Sequence, residues 1–411
     1  MIKTIKDFNF KLKKVLIRVD YNVPMKDDGN ITDDFRIRET LPTINYILKQ
    51  MPSQVILMTH IGRPEGKDPL KEPALRTNKV GERLGQLLNM PVKKVDGWQA
   101  DSNKSNLSNS KAFTSKTFNS KDCIIMLENL RFNPCEQAKD VKLKDEFGKQ
   151  LASLADIYVN DAFSNSHRDD ASMTSVPKFV KEKCIGFLIK KELDMIKLTI
   201  EDPVKPFISI IGGVKADKLN AVQNLLKTAD KILIGGALAF LFLKVNGYSV
   251  GKTSIDTKGL TPETEAKIKQ YLKNPKIVLP IDAVVALSTD IKDSKQTKIV
   301  DVDKIPDDMI ALDIGPASIE RFSLIIKQAK TIVWNGPIGY FENPAFANGT
   351  KQIAKIISET KAKSIVGGGD SAAAVTQFGY DKKMTHVSSG GGASLELIEG
   401  KELVALKALE R

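Results

Sequence analysis

Nine short apolar runs, spaced by segments long enough for a helix, constrain this chain more than any other feature. They are Val15–Val19, Val55–Thr59, Ile124–Leu127, Ile157–Val159, Phe207–Ile211, Lys231–Ile234, Lys276–Leu279, Thr331–Trp334 and Ser364–Val366. Continuous apolar runs of strand length that alternate with helices describe parallel strands buried on both faces. Nine such strands exceed one small core, and a chain of 411 residues is expected to form about two to three domains. The fold expected is therefore α/β in two lobes, each a parallel sheet flanked by helices. The joint is placed at 181–203, where Gly186–Leu198 reads as an amphipathic helix ending before Asp202-Pro203. This gives a first domain at 1–180, a hinge helix at 181–203 and a second domain from 204 to 399. A Ser/Asn/Lys-rich stretch at 101–121 reads as an exposed loop.

Ligands of open α/β sheets bind beyond the carboxyl ends of the strands, so the residues after each run carry the functional information. In the first half these are Asp20, Asn22 and Arg36, then His60 and Arg63, then Arg131, then His167 and Arg168. One arginine in a loop is an ordinary surface charge, but four arginines and two of the three histidines on one sheet edge form a cluster. The arginine fork matches phosphate and carboxylate oxygens two at a time, which points to a small polyanion carrying both groups.

The second half is punctuated by glycine instead. Its runs are followed by Gly212-Gly213-Val-Lys215-Ala-Asp-Lys218, Gly235-Gly236, Asn335-Gly-Pro and Gly367-Gly368-Gly369-Asp370-Ser371. Glycine lets backbone N–H groups approach a phosphate at a helix N-terminus, where the helix dipole also favours an anion. Lys215 and Lys218 supply point charges, and Asp370 is the candidate ligand for a Mg²⁺ ion bridging phosphate oxygens.

Two motifs mislead. Asn246–Thr253 resembles a P-loop but lacks the first glycine and follows a helical run. Gly367–Ala372 fits a dinucleotide fingerprint but stands too near the chain's end to open a dinucleotide fold. The balance of 62 Lys and Arg against 50 Asp and Glu, a net +12, suits phosphorylated metabolites, nucleic acid or a lipid surface alike. With aromatics at only 6%, the base-stacking platform of a nucleic-acid binder is not indicated. The first residues lack a signal-peptide pattern, no apolar run approaches the roughly 18 residues of a membrane span, and the three cysteines contain no C-x-x-C pair. A cytoplasmic protein without membrane or nucleic-acid partners is expected.

Taken in order along almost the whole chain, these motifs resemble the phosphoglycerate kinase family. Arg18-Val-Asp-Tyr-Asn-Val-Pro, His60-Ile-Gly-Arg-Pro, Leu127-Glu-Asn-Leu-Arg-Phe and Asp161-Ala-Phe with His167-Arg168 are similar to its 3-phosphoglycerate site. Trp334-Asn-Gly-Pro-Ile-Gly with Glu342, and Gly367-Gly-Gly-Asp-Ser, are similar to its nucleotide site. His386-Val-Ser-Ser-Gly-Gly-Gly-Ala-Ser resembles its hinge and helix-cap segment. The resemblance implies reversible transfer of the acyl phosphate of 1,3-bisphosphoglycerate to Mg-ADP, giving ATP and 3-phosphoglycerate. It further implies two Rossmann-like lobes that close on one another, a monomer, and a C-terminal tail at 400–411 packed on the first lobe. By position, Asp20, Tyr21, Asn22, Arg36, His60, Ile61, Gly62, Arg63, Arg131, His167 and Arg168 would serve the glycerate substrate. Gly212, Gly213, Lys215, Lys218, Gly236, Gly315, Asn335, Glu342, Gly368, Gly369, Asp370 and Ser371 would serve the nucleotide, with Glu342 at the ribose and Asp370 on Mg²⁺. Arg36, Lys215, Gly369 and Gly392 would be the catalytic set. The loop Gly212–Lys218 is one residue shorter than the family's usual form, which leaves the contact to the moving phosphate open between Lys215 and Lys218. Ser371 stands where the family usually has threonine and keeps the hydroxyl.

Overall fold

The structure is a computed structural model describing residues 2–26, 28–65, 68–95, 124–214, 216–291 and 296–410. The stretch 101–121, Cys123 and Lys215 lie outside the described residues. Two compact units emerge, one reaching to Leu193 and regaining the chain from Glu402 onward, the other spanning Asp194–Lys401.

The first unit is built on β1 (Lys14–Val19), β2 (Gln54–Met58), β3 (Val92–Val95), β4 (Ile124–Leu127), β5 (Ile157–Asp161) and β6 (Glu182–Ile185). They form one sheet in the order β3-β4-β2-β1-β5-β6, every pair parallel. The central strands are buried along almost their whole length, as continuous apolar runs require. Residues 182–185, assigned from the sequence to the connector, are instead the edge strand β6. Their Glu-Lys-Cys-Ile pattern is half exposed and too polar to signal a strand. The connecting helix itself is Phe187–Ile200. The last helix, Val404–Leu409, packs on this unit, with Ala405 buried against Ala162 and Met173.

The second unit runs β7 (Phe207–Ile211), β8 (Lys231–Ile234), β9 (Ile277–Val278), β10 (Asp282–Ala286), β11 (Lys298–Asp301), β12 (Ile310–Ile314), β13 (Thr331–Asn335), β14 (Lys363–Gly367) and β15 (His386–Val387). Six of these make a second parallel sheet, β15-β14-β13-β7-β8-β9. The other three form a small antiparallel sheet, β11-β10-β12. The helix Gly236–Val245 is apolar all round because it is covered on both sides. Leu238, Ala239, Leu241 and Phe242 face the large sheet's core, while Phe240 and Leu243 pack with Ala283, Val285 and Ala311 of the small one.

Both parallel sheets reverse their strand order once. In the first the chain winds outward from β1 and returns at β5; in the second it winds outward from β7 and returns at β13. Parallel register levels the strand ends on either side of each reversal, with Val19 opposite Asp161 and Ile211 opposite Asn335. A crevice at such a reversal is where an α/β sheet offers room to a ligand.

Candidate active site

At the first reversal, Asp20 follows β1 and is nearly buried. Its Oδ2 accepts hydrogen bonds from Arg36 Nη1 and from Ser164 Oγ, a residue of the loop after β5. Arg36 also donates to Ser164 Oγ at 3.1 Å. Three elements are thereby pinned around one carboxylate. Asn22 Oδ1 accepts from the Gly62 amide at 2.8 Å, and Arg131 Nη1 donates to the Gly62 carbonyl at 2.6 Å, which brings the loop after β2 into the same group. Asn129 braces it from below, accepting from the amides of Ile61 and Arg131, each at 3.1 Å, and donating to the Ile61 carbonyl at 2.7 Å.

His60 is buried among these arginines. Burial, and then the charges of Arg18, Arg131, Arg168 and Arg36, hold its imidazole well below the ordinary histidine range, so the ring is neutral at pH 7. Arg131 is pulled down to about 10, chiefly by burial, with Asp170 opposing and Arg168 and Arg18 adding. Arg168 Nε is buried and meets no acceptor among the described residues. A crowded set of guanidiniums with an unmet donor suits an anion with several oxygens. Arg63 is exposed, and His167 is half-buried in the same post-β5 loop as Arg168.

Two residues carried into this set do not present their side chains to it. Tyr21 is fully buried in the core, its hydroxyl 2.8 Å from Thr40 Oγ1, and Ile61 is buried in the same core. Each lies between two site residues just beyond a strand, Tyr21 after β1 and Ile61 after β2, and packs its side chain into the core.

At the second reversal the backbone does what side chains do at the first. The Gly212 amide donates to the Asn335 carbonyl at 2.8 Å and the Gly213 amide to the Pro337 carbonyl at 2.9 Å, so the loops after β7 and β13 interlock. A Cβ on Gly212 would collide with the Pro337 carbonyl. Gly236, at φ +61°, fits against the Gly213 amide for the same reason. Beside this interlock lies a cavity of about 670 Å³, within the usual size of a small-molecule site. Gly213, Lys218, Gly236, Asn335, Glu342, Gly368, Gly369, Asp370 and Gly392 line it, nine of the positions singled out in the sequence. Gly236, Gly369 and Gly392 are the first residues of three helices, so three positive dipole ends meet at one cavity. Lys218 Nζ donates to the Gly212 carbonyl at 2.6 Å. The Asn335 Nδ2 donor is buried with no acceptor among the described residues and lies against Gly368.

Phe240, Ala311 and Leu312 give the cavity an apolar wall, with Ser254, Thr289 and Tyr340 nearby. Ala311 and Leu312 come from β12, part of the antiparallel sheet that the sequence reading did not see. Gly315 and Ser371 do not line the cavity. The helix after Gly315 is capped by Asp282, which accepts from the amides of Ala317 at 3.0 Å and Ser318 at 2.7 Å, and a Cβ on Gly315 would strike that carboxylate. The buried Ser371 hydroxyl accepts from the Gly336 amide at 2.6 Å and holds the turn after β13. Asn246–Thr253 leads from a helix into an isolated bridge between Gly251 and Ile310, not from a strand into a helix.

Comparison with known proteins agrees with this arrangement. The family model described as phosphoglycerate kinase matches residues 5–401. The phosphoglycerate kinase of Dictyoglomus turgidum is 45% identical over 411 residues, covering 100% of this chain and 98% of its own. That of Thermosynechococcus vestitus is 42% identical over 97% of this chain and 96% of its own. Among solved structures, phosphoglycerate kinase from Coxiella burnetii superposes with a TM-score of 0.83 at 34% identity, over 100% of this chain and 99% of that one. The enzyme from Pyrococcus horikoshii gives 0.82 at 32%, over 100% and 98%. A match of this depth running through both sheets and both reversals means that the chain belongs to the phosphoglycerate kinase family.

Proposed function

We propose that the family's reaction, reversible transfer of the acyl phosphate of 1,3-bisphosphoglycerate to ADP to give ATP and 3-phosphoglycerate, is divided here between two residue sets. Asp20, Asn22, Arg36, His60, Arg63, Arg131, His167 and Arg168 hold the glycerate substrate. Gly213, Lys215, Lys218, Gly236, Asn335, Glu342 and Gly368–Asp370 hold the nucleotide. The observation that carries this reading is the buried group around Asp20, where Arg36, Arg131 and Arg168 surround a neutral histidine. The neutral ring donates without adding repulsion among the guanidiniums, and the guanidiniums match a phosphate and a carboxylate.

Phosphoryl transfer asks for positioning and charge stabilisation more than for covalent chemistry. Arg36 and Lys215 are assigned to the charge spread over the moving phosphoryl group. Lys218 is assigned to the nucleotide phosphates, supported by its place in the cavity wall beside Gly213. The attacking oxygen, of ADP or of the glycerate carboxylate, is already ionised, so no general base is required. Mg²⁺ fits the donors present: Asp370 is exposed in a helix's first turn at the cavity, and no group of three or more His, Cys, Asp or Glu among the described residues could cage an ion alone. An ion sharing one carboxylate with phosphate oxygens and water is the habit of Mg²⁺, which would there neutralise charge on the nucleotide. A monomer in a reducing compartment completes the reading; for the compartment the support is that Cys135 and Cys184 are buried and free. No helix among the described residues is long and apolar enough to cross a membrane.

The test is turnover of 3-phosphoglycerate and Mg-ATP, coupled to NADH oxidation by glyceraldehyde-phosphate dehydrogenase, with and without EDTA. Rapid, EDTA-sensitive turnover is expected. Lys215→Ala should lower kcat on the order of 10²–10³-fold, the cost of one preorganised donor to the transition state. Lys218→Ala should act mainly on the KM for ATP. The opposite split would exchange the two roles.

A further inference from the structure

Arg18, at the end of β1, is fully buried and makes three side-chain hydrogen bonds. Nη1 donates to the Val19 carbonyl, Nε donates to Ser172 Oγ at 2.9 Å, and Nη2 lies 3.2 Å from Nδ1 of His60. A guanidinium has donors only, so in the last pair Nδ1 must be the acceptor and carries no proton. The pull in the other sense comes from Asp20, whose Oδ1 stands 4.0 Å from the same nitrogen, beyond hydrogen-bond reach. In a ring kept neutral, the one remaining proton then sits on Nε2.

Ser172 decides whether Arg18 can hold that position, because a hydroxyl can donate or accept. Glu136, fully buried, settles its direction: Oε1 accepts from the Ser172 hydroxyl at 2.6 Å and Oε2 from the Ser172 amide at 3.0 Å. The lone pairs of Ser172 Oγ are thus left for Arg18. Ser172 itself belongs to a π-helical turn, Ala171–Ser175, and its carbonyl accepts from the Tyr158 hydroxyl at 2.9 Å. Four side chains, Glu136, Ser172, Arg18 and His60, form one polarised chain.

We propose that Glu136 and Ser172 are positioning residues for the glycerate site: by aiming Arg18 at Nδ1 they lock His60 as the Nε2–H tautomer, a donor to an anionic oxygen of the substrate. The proposal rests on the reading of His60 as a substrate contact.

Long-range ¹⁵N–¹H correlation spectra of histidine-labelled protein at pH 7 read the tautomer directly. The chain has three histidines, and the signals lost in His60→Gln assign this one. The wild type should show an unprotonated Nδ1 and a protonated Nε2; an Nδ1–H ring or a doubly protonated ring overturns the proposal, whether or not any variant folds. In Ser172→Ala and Glu136→Gln, checked for folding by circular dichroism, the His60 signals should move towards mixed tautomers. The KM for 3-phosphoglycerate should rise about tenfold, the scale of losing an outer partner of a functional histidine, while the KM for ATP stays put. Folded variants with wild-type His60 signals and KM would overturn it too. Titration with 3-phosphoglycerate separates the two readings. Unmoved His60 signals remove His60 from the site, whereas moved signals from the wrong tautomer sink the positioning chain alone.

Discussion

The two parallel sheets place their candidate sites at the same topological position and fill them with opposite materials. At the reversal between β1 and β5 the crevice is made of long side chains, with Arg36 and Ser164 converging on Asp20. At the reversal between β7 and β13 it is made of backbone, with the amides of Gly212 and Gly213 donating to the carbonyls of Asn335 and Pro337. On the proposed assignment of the two substrates, the difference follows from what each site would hold. A three-carbon acid with charge at both ends has little surface beyond its oxygens, so recognition comes from charged arms. A nucleotide adds a base and a sugar, so the second site needs apolar wall, supplied by Phe240, Ala311 and Leu312, and leaves the phosphates to helix N-termini. Charge concentrated in side chains also has an energetic consequence. Burial lowers the proton affinity of Arg36 and Arg131, a sign that the first site is ill at ease without an anion.

The comparison breaks most sharply at Arg36. Arg36→Ala removes the donor shared by Asp20 and Ser164, and turnover should fall on the order of 10²–10³-fold. Arg36→Lys should recover only part of that, because one ammonium cannot reproduce the planar fork. The KM for ATP should stay within about twofold of the wild-type value, since no residue of the second set is changed. Full recovery by lysine in the coupled assay would show that charge alone matters at the first site.

Glycines sharpen the contrast with a smaller effect. Gly62 of the first site and Gly236 of the second both have positive φ, +56° and +61°. A Cβ on Gly62 would meet the flexible end of Leu75, 2.6 Å away, which can turn aside. On Gly236 it would meet the Gly213 amide at 2.5 Å and the Pro337 carbonyl at 2.8 Å, both parts of the interlock. Each substitution by alanine carries the left-handed penalty of about 1–2 kcal/mol. Only Gly236→Ala should also weaken ADP binding, by about tenfold (~1.4 kcal/mol) in titration calorimetry. Equal losses of ADP affinity in both variants would mean that backbone closeness is not what distinguishes the sites.

What was legible in the sequence divides along the same line. The nine apolar runs are all strands, because burial on both faces leaves a continuous signal. The edge strands β3, Val-Lys-Lys-Val, and β6 are short and partly exposed, and β10–β12 pair antiparallel with polar residues interspersed, so neither kind stands out. That omission hid the apolar wall of the cavity at the second reversal. Arginines and glycines after strands were readable as types. Tyr21 and Ile61 came with contiguous motifs, and their side chains lie in the core, so any part they take at the site falls to their backbone. At Gly315 the structure shows a packing reason for glycine, the Asp282 carboxylate set against it, which no local pattern reveals. Arg18, Ser164, Glu136 and Ser172 act through partners distant in sequence, and no local pattern announces that.

One kinship between the two regions bears on stability and not on turnover. Each unit buries a carboxylate against a helix start: Asp161 accepts from the amides of Leu188 at 3.0 Å and Ile189 at 3.3 Å, and Asp313 from those of Gly349 at 2.6 Å and Ile314 at 2.9 Å. Burial dominates over these bonds and raises Asp161 to about 7 and Asp313 to about 8. In the unfolded chain both titrate near 3.9, so between about pH 4 and each raised value the folded protein holds the extra proton. Stability from these groups is therefore present at acid pH and lost as pH rises through 7 and 8, with a ceiling of about 1.4 kcal/mol per pH unit for each. Between pH 5.5 and 8.5 the wild type should lose thermal stability in the second unit, and Asp313→Asn, which cannot titrate, should flatten that slope whatever its absolute Tm. Calorimetric Tm against pH for the two proteins checks it. Parallel slopes would mean that the amides of Gly349 and Ile314 keep Asp313 ionised, and that its proton plays no part in the unit's stability.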